Sequence, residues 1–93
     1  MVSEINASHI LVKTEQEAKA ILNTIQDGES FELLAKKFSL CPSKTDNGNL
    51  GWFSKGQMVK EFEDACFSGK VGEIKGPVKT EFGFHLIKIN NQR

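Results

Sequence analysis

Two strand-like segments lie at the two ends of this 93-residue chain, with helical patterns between them, and this arrangement constrains the fold more than any other feature. Residues 4–12 and 84–89 alternate their apolar side chains with a period of two, which predicts β-strands. Each strand carries one histidine, His9 or His85, on a face that is otherwise apolar. Terminal strands of small sheets are often neighbours, so the two imidazole rings are candidates for direct contact.

The first half of the chain between these strands predicts two helices. Residues 14–17 have the pattern of a capping box, in which the Thr14 hydroxyl accepts from the Glu17 amide while the Glu17 side chain reaches back. Apolar residues at helical spacing follow, and Gly28 stands where a left-handed residue would end that helix. The same spacing predicts a second helix over residues 30–39.

The second half of the chain is rich in glycine and predicts shorter elements. Residues 41–48 are expected to form a loop or a single turn of helix, and residues 50–53 a short strand. The helical period returns in residues 59–67, and Val78 begins a brief strand. Strands and helices in this irregular order are typical of an α+β domain, in which helices pack around a sheet.

Length and charge limit what such a chain does. Compact domains cluster near roughly 100–150 residues, so residues 1–93 are expected to form a single domain. Twelve basic residues balance twelve acidic ones, which argues against a nucleic-acid-binding protein because such proteins neutralise phosphates with a basic surface. Arg93 is the only arginine, so a bidentate phosphate clamp is not expected either. No stretch has the roughly 18–20 apolar residues that a membrane span needs.

The N-terminus and the two cysteines bear on the cellular compartment. The first residues of the chain are acidic and lack the layout of a signal peptide. Cys41 and Cys66 are therefore interpreted as reduced thiols of a cytoplasmic protein. The alternative is an exported protein, because a domain excised from a larger exported protein would lack a signal as well.

The residue types that carry chemistry are few, and by themselves they leave several interpretations open. A single strand histidine is more often a core residue with satisfied ring nitrogens, but two of them make a hydrogen-bonded pair a stronger alternative. Histidine and cysteine also suggest zinc, yet the chain has no closely spaced pair of ligands. Cys41 beside a histidine would suit nucleophilic catalysis, but no third member accompanies them. Residues 46–49 resemble part of a calcium loop, but Gln57 stands where the closing glutamate is needed.

The aromatic residues likewise have two interpretations. The chain has seven phenylalanines, which are most simply explained as core residues. That number is generous for a thin core, so some of them are candidates for the wall of a concave apolar pocket. Residue types alone therefore lead to an α+β domain in which an apolar pocket, flanked by histidine and cysteine, competes with an ordinary core.

Several segments of the chain, taken together, resemble one known family. The match begins at residues 7–13, continues in residues 31–39, is most specific over residues 48–65, and is completed in the same order by residues 76–80 and 82–87. Over nearly the whole chain, and without a large insertion, the sequence is similar to the parvulin-type peptidyl-prolyl cis/trans isomerases. The minimal single-domain parvulins of prokaryotes are the nearest subgroup.

This resemblance implies a fold, an activity and a set of site residues. The fold is a four-stranded antiparallel sheet surrounded by about four helices. The activity is cis/trans isomerisation of X–Pro bonds in peptides and unfolded proteins, without a cofactor or a metal. The residues that match the family's site are His9 and His85 as the paired histidines, Cys41 as the cysteine facing them, Thr80 as the hydroxyl bonded to the pair, and Leu50, Met58 and Phe62 as the proline pocket. Phe82 falls at a position where the family varies, and it is expected to add an apolar wall.

The chain departs from the phosphorylation-directed subgroup of that family. The subgroup has a long basic loop after the first strand, whereas here Lys13 leads directly into the helix that begins at Thr14. The resemblance therefore implies unphosphorylated substrates, and a small neutral domain is expected to be a monomer. The competing hypothesis is a non-catalytic peptide-binding or chaperone module, which would be favoured by loss of the histidine pair or of the pocket.

The expected mechanism breaks no covalent bond. An X–Pro bond rotates over a barrier of about 18–20 kcal/mol, and a site that binds the twisted amide better than the planar one lowers that barrier. Cys41 is therefore interpreted as an electrostatic or hydrogen-bonding group. Met58 and Phe62 are four residues apart at the start of the third predicted helix, and as pocket residues they should stay partly exposed.

Overall fold

The computed structural model describes residues 2–93 as one antiparallel sheet of four strands with three α-helices and one 3₁₀ helix. The elements in chain order are β1 (Glu4–Val12), α1 (Glu15–Gln26), α2 (Phe31–Phe38), the 3₁₀ helix (Pro42–Asp46), β2 (Asn49–Ser54), α3 (Lys60–Phe67), β3 (Ile74–Thr80) and β4 (Gly83–Gln92). The strand order is β2-β1-β4-β3. The predicted α+β class and sheet are confirmed, and the 3₁₀ helix is the fourth of the expected helices.

The two terminal strands, β1 and β4, form the centre of the sheet. Their antiparallel pairing runs from Ile5 opposite Gln92 to Val12 opposite Phe84. Both faces of this pair are covered, which is why four consecutive residues of β1, from Ala7 to Ile10, are buried. One core cluster combines Ile10, Val12 and Leu86 with residues of α1 and α2, and the other combines Ile5, Ala7, Ile87 and Ile89 with Phe53, Phe62 and Cys66.

The first two helices begin at the residues that the sequence indicates. The Thr14 hydroxyl accepts a hydrogen bond from the Glu17 amide at 3.1 Å and donates one to the Glu17 carboxylate at 3.0 Å. The Glu17 carboxylate therefore accepts from the Thr14 hydroxyl and not from the Thr14 backbone amide, as a capping box would require. The Ser30 hydroxyl accepts from the Leu33 amide at 3.3 Å in the same way. Among the described residues, no helix is long and apolar enough to cross a membrane.

The edge strand β3 is longer than the sequence predicts. It begins at Ile74, although Gly76 and Pro77 indicated a break and placed its start at Val78. A register shift between Lys75 and Val78 accommodates both residues. An edge strand tolerates proline because only one side of the strand pairs with a neighbour.

The central strand β4 also extends past the apolar alternation that ends at Ile89. The Arg93 carbonyl accepts from the Ser3 and Glu4 amides at 2.8 and 2.9 Å. The Arg93 side chain contacts the Glu4 carboxylate at 2.8 Å and lies 4.1 Å from the centre of the Trp52 ring. These polar contacts hold a segment in the sheet that has no apolar pattern of its own.

Gly48 places the loop between α2 and β2 directly against β1. Its carbonyl accepts from the His9 amide at 2.9 Å, and its φ of +85° is a conformation that other residues rarely adopt. A Cβ atom on Gly48 would lie 2.5 Å from the His9 carbonyl oxygen. Only glycine therefore allows this close approach.

We expect Gly48→Ala to destabilise the protein more than Gly28→Ala. Both glycines have positive φ, a conformation in which alanine is strained. Both variants therefore lose about 1–2 kcal/mol of the free energy of unfolding. Only Gly48→Ala meets the His9 carbonyl, since nothing lies within 4 Å of a Cβ on Gly28. That overpacking adds about 1–3 kcal/mol, which denaturant unfolding of the two variants would measure. Equal losses in the free energy of unfolding would show that the close approach of Gly48 to β1 does not contribute to stability.

Candidate active site

A concave apolar cavity of about 480 Å³ opens over β1 and the start of β4. Its lining includes every predicted site residue except Thr80, which lies behind the histidines. The sequence did not single out the other five lining residues. Leu11 lies on β1, and the other four lie in the segments that connect α2 to β2 and β2 to α3. The complete lining is His9, Leu11, Leu40, Cys41, Pro42, Leu50, Gln57, Met58, Val59, Phe62, Phe82 and His85.

The two histidines form a buried pair across the central strands. His9 lies opposite Ile87 and His85 lies opposite Leu11, so the two rings are diagonal neighbours on one face of the sheet. Their Nδ1 atoms are 3.0 Å apart, and their rings stack with centroids 5.2 Å apart. The side chains are only 5% and 4% exposed. The contact that the sequence suggested between the two rings is therefore present.

Thr80 determines the direction of the hydrogen bonds through this pair. Its hydroxyl oxygen accepts from the Phe82 amide at 3.2 Å and lies 2.7 Å from His85 Nε2. If the hydroxyl donates to Nε2, His85 carries its proton on Nδ1 and donates to His9, which then carries its proton on Nε2. The reverse direction would leave both the Thr80 proton and His9 Nε2 without a partner among the described residues. The first arrangement leaves only the His9 Nε2 proton unpaired, so the hydrogen-bond network favours it.

Both histidines are neutral at neutral pH. Burial, together with the neighbouring His85, lowers the pKa of His9 from 6.5 to about 4. Burial also lowers the pKa of His85. The geometry excludes a charge on both rings at once, because a hydrogen bond between two Nδ1 atoms requires one of them to be unprotonated.

Phe62 supports the pair from α3. Its ring meets both imidazoles edge to face, with centroids 5.5 Å from His9 and 5.3 Å from His85. Phe62 is only 3% exposed, so the expected partial exposure is wrong for this residue, whereas Met58 is half-buried. Met58 also lies before α3, so the two residues line one cavity without sharing a helical turn.

Ser39, which the sequence reasoning missed, anchors Cys41 to β1. The buried Ser39 hydroxyl accepts from the Leu11 amide at 3.0 Å and from the Cys41 amide at 3.3 Å. The Leu40 amide donates to the Leu11 carbonyl at 2.8 Å. A serine that directly follows a helix and precedes the cysteine by two residues was the available signal, because serine readily bonds to nearby backbone amides.

The two cysteines differ in their surroundings. Both are free thiols, but Cys41 is half-buried at the cavity and Cys66 is fully buried on the core-facing side of α3. Burial raises the pKa of Cys66 to about 12, so that thiol stays protonated in the core. Within residues 2–93, no three histidine, cysteine or acidic side chains are grouped as metal ligands.

Comparisons with known proteins agree with this geometry. The family model described as the PPIC-type PPIase domain matches residues 1–93. The foldase protein PrsA of Geobacillus kaustophilus is 50% identical over 96% of this chain, which spans only 32% of that relative. The structure of NmPin, the parvulin of Nitrosopumilus maritimus, superposes with a TM-score of 0.86 at 50% identity, and covers 96% of this chain and 97% of its own.

A third relative comes from Campylobacter jejuni. The structure, which is described as that of two SurA-like chaperones, PEB4 and the periplasmic protein Cj1289, superposes with a TM-score of 0.93 at 44% identity. The match covers all of this chain and 40% of that one. The chain is thus similar both to a small parvulin and to parts of longer foldases and chaperones.

The lowered histidine pKa values predict that stability falls as pH falls from 7 to 5. An unfolded chain takes up protons on its histidines near pH 6.5, whereas both folded histidines have a lowered pKa, which is about 4 for His9. The stabilising contribution of the two histidines is therefore fully present above about pH 6.5. It is lost as the pH falls below 6.5, by up to about 1.4 kcal/mol per pH unit for each histidine. Denaturant unfolding at several pH values would show this slope and a smaller one in His9→Asn. An unchanged stability from pH 7 to pH 5 would contradict it.

The assigned proton positions predict a nitrogen NMR spectrum with two different tautomers. His9 should carry its proton on Nε2 and His85 on Nδ1, and Thr80→Ser should preserve both. Thr80→Val leaves the Phe82 amide and His85 Nε2 without a partner, so it should cost about 1–3 kcal/mol and shift the tautomers. A proton on Nδ1 of His9 in the unmodified protein would reverse the assignment.

Proposed function

The chain belongs to the PPIC-type peptidyl-prolyl isomerase family, and on that premise we propose that it catalyses cis/trans isomerisation of X–Pro bonds in the cavity above the histidine pair. The observation that carries the proposal is the neutral, hydrogen-bonded pair of His9 and His85 at the floor of an open apolar cavity. The chain spans about a third of its foldase relatives, so the proposal concerns this domain and not a whole foldase.

The apolar character of the cavity favours the twisted amide. A planar amide has a large dipole that water stabilises, whereas a twisted amide has lost its resonance and part of that dipole. Moving the bond out of water therefore destabilises the planar state more than the twisted one. A ten-thousand-fold acceleration requires the site to favour the twisted amide over the planar one by only about 5.5 kcal/mol. No covalent step is needed.

The predicted site residues have separate roles in this proposal. Leu50, Met58 and Phe62 hold the proline ring, because they line one cavity and Phe62 is fixed against both imidazoles. His9 and His85 form a rigid neutral floor whose orientation Thr80 maintains. Neutral imidazoles surround the substrate with fixed dipoles and no net charge.

Cys41 is the polar group at the cavity that is not locked into the histidine pair. Its thiol is half-buried, and Ser39 holds its backbone in place. We assign it a hydrogen-bonding or electrostatic role towards the twisting amide. A carboxylate at this position would serve the same role.

The partners and setting of the domain are part of the same proposal. We propose that residues 1–93 act as one monomeric domain on unphosphorylated peptides and folding proteins. The names of its relatives, which include foldases and SurA-like chaperones, support substrates of that kind. These names do not support the expected cytoplasmic location. The exported alternative agrees better with a relative described together with a periplasmic protein.

The non-catalytic alternative makes a different prediction. A chaperone module would bind proline peptides without changing the exchange rate between their isomers. The names of the C. jejuni relatives favour this alternative, but the intact histidine pair at the floor of the open apolar cavity favours catalysis.

We expect the protein to accelerate isomer exchange in unphosphorylated X–Pro peptides, measured by exchange NMR. Cys41→Asp should keep a substantial part of kcat/KM, since a carboxylate also accepts hydrogen bonds, and Cys41→Ala should keep less. Mass spectrometry should find no adduct between Cys41 and the peptide.

Two outcomes would contradict this proposal in different ways. Peptide binding without any change in exchange rate would identify a binding module. A folded but inactive Cys41→Asp variant, or a trapped thiol adduct, would leave the isomerase standing but replace the non-covalent role of Cys41 with a nucleophilic one.

A further inference from the structure

The loop between β2 and α3, residues 55–59, forms one side of the cavity. It supplies three of the lining residues, Gln57, Met58 and Val59, and Met58 is one of the predicted proline-pocket residues. The loop contains neither helix nor strand, so regular backbone hydrogen bonding does not hold these residues in place. Their positions therefore depend on individual contacts. We call residues 55–59 the β2–α3 loop.

Glu63 bonds to the β2–α3 loop on both sides of Met58. Its carboxylate oxygen Oε1 accepts from the Gly56 amide at 2.6 Å, and its own amide donates to the Val59 carbonyl at 2.9 Å. The first bond crosses from α3 to the middle of the loop, and the second is the first hydrogen bond of the helix. Because Gln57 and Met58 lie between these two anchors, Glu63 determines where the loop places them.

Two other contacts hold the β2–α3 loop in a different way. The Gln57 side-chain oxygen accepts from the Ser54 amide at 2.7 Å, which closes the loop onto the end of β2. The Lys55 ammonium lies 5.3 Å from the centre of the Phe67 ring on α3, but Lys55 is exposed. The hydrogen bond from Gly56 to Glu63 is the contact that ties the loop backbone to a side chain of α3.

The same turn of α3 also carries Phe62, which is the opposite side of the proline pocket. Phe62 is buried against both imidazoles, so its position is fixed by the histidine pair. The next residue, Glu63, is half-buried and contacts the loop. The bond to Gly56 therefore sets the separation between Met58 on the loop and Phe62 on the helix. A carboxylate that accepts from a backbone amide makes a charge-assisted bond, which is stronger than a neutral one.

We infer that Glu63 is a positioning residue of the proposed isomerase. It does not line the cavity, and it acts through Met58, whose place opposite Phe62 determines how tightly the proline ring is held. The inference rests on the proposed isomerase function. In the structural alternative, Glu63 only stabilises α3, because an acidic side chain in the first turn interacts favourably with the helix dipole. The two interpretations differ in whether the reach of the side chain or its charge matters.

Two substitutions separate reach from charge. Glu63→Gln keeps an oxygen at the same reach and removes the charge, whereas Glu63→Asp keeps the charge and is one methylene shorter. We expect Glu63→Asp to raise KM for an X–Pro peptide about ten-fold with little change in kcat, since the planar and twisted states lose the same contact. Glu63→Gln should stay within about three-fold of the unmodified protein, because a neutral acceptor remains. Exchange NMR at several peptide concentrations gives both constants.

Glu61 offers a matched control. It also lies in the first turn of α3, but it is exposed and does not line the cavity. Glu61→Asp and Glu61→Gln should therefore leave KM unchanged. In a second measurement, the Gly56 amide proton should exchange with solvent faster in Glu63→Asp than in Glu63→Gln. Equal KM values in the two Glu63 variants, a larger rise in Glu63→Gln, or an equal rise in the Glu61 variants would overturn the inference.

Failure of the isomerase function would look different. In that case the unmodified protein would not accelerate exchange in any peptide, and the Kd of the same peptide from NMR titration would replace KM. Weaker binding by Glu63→Asp but not by Glu63→Gln would support Glu63 as a positioning residue of a binding module. Equal Kd values in the two variants would overturn that role.

Discussion

The hydrogen bond between the Nδ1 atoms of His9 and His85 is the interaction on which the candidate site depends. It exists only because β1 and β4, from opposite ends of the chain, pair in one register. A shift by one residue would turn one ring to the other face of the sheet and separate the pair. The core enforces this register, because the same shift would move Ile87 and Ile89 out of their own cluster to the face that α1 and α2 cover.

Burying two histidines is tolerable because most of their polar atoms have partners. Thr80 satisfies His85, His85 satisfies His9, and Phe62 covers both rings edge to face. His9 Nε2 is a buried atom without a partner among the described residues. Burial also keeps both rings neutral, so the floor of the cavity holds fixed dipoles without a net charge. In such an environment, a twisted amide loses less stabilisation than a planar one when it leaves water.

The site draws its residues from nearly every loop around the sheet. Ser39 brings Cys41 to β1, Gly48 allows the same loop to pack against His9, and the β3–β4 turn presents Phe82. This construction explains how one fold occurs both as a small parvulin and within longer foldases. The central strands hold the histidine pair, and the surrounding segments supply most of the other cavity residues.

The sequence by itself determined the elements, because alternation, helical spacing and capping residues act over a few neighbours. It also placed His9, His85 and Cys41 at the site through the resemblance to parvulins. Only the tertiary structure decided the span of β3, the depth of Phe62, the anchoring of Cys41 by Ser39 and the place of Leu40 at the cavity. Each of these depends on contacts between residues that are distant in the chain or on an edge that tolerates proline, and no local pattern encodes such contacts.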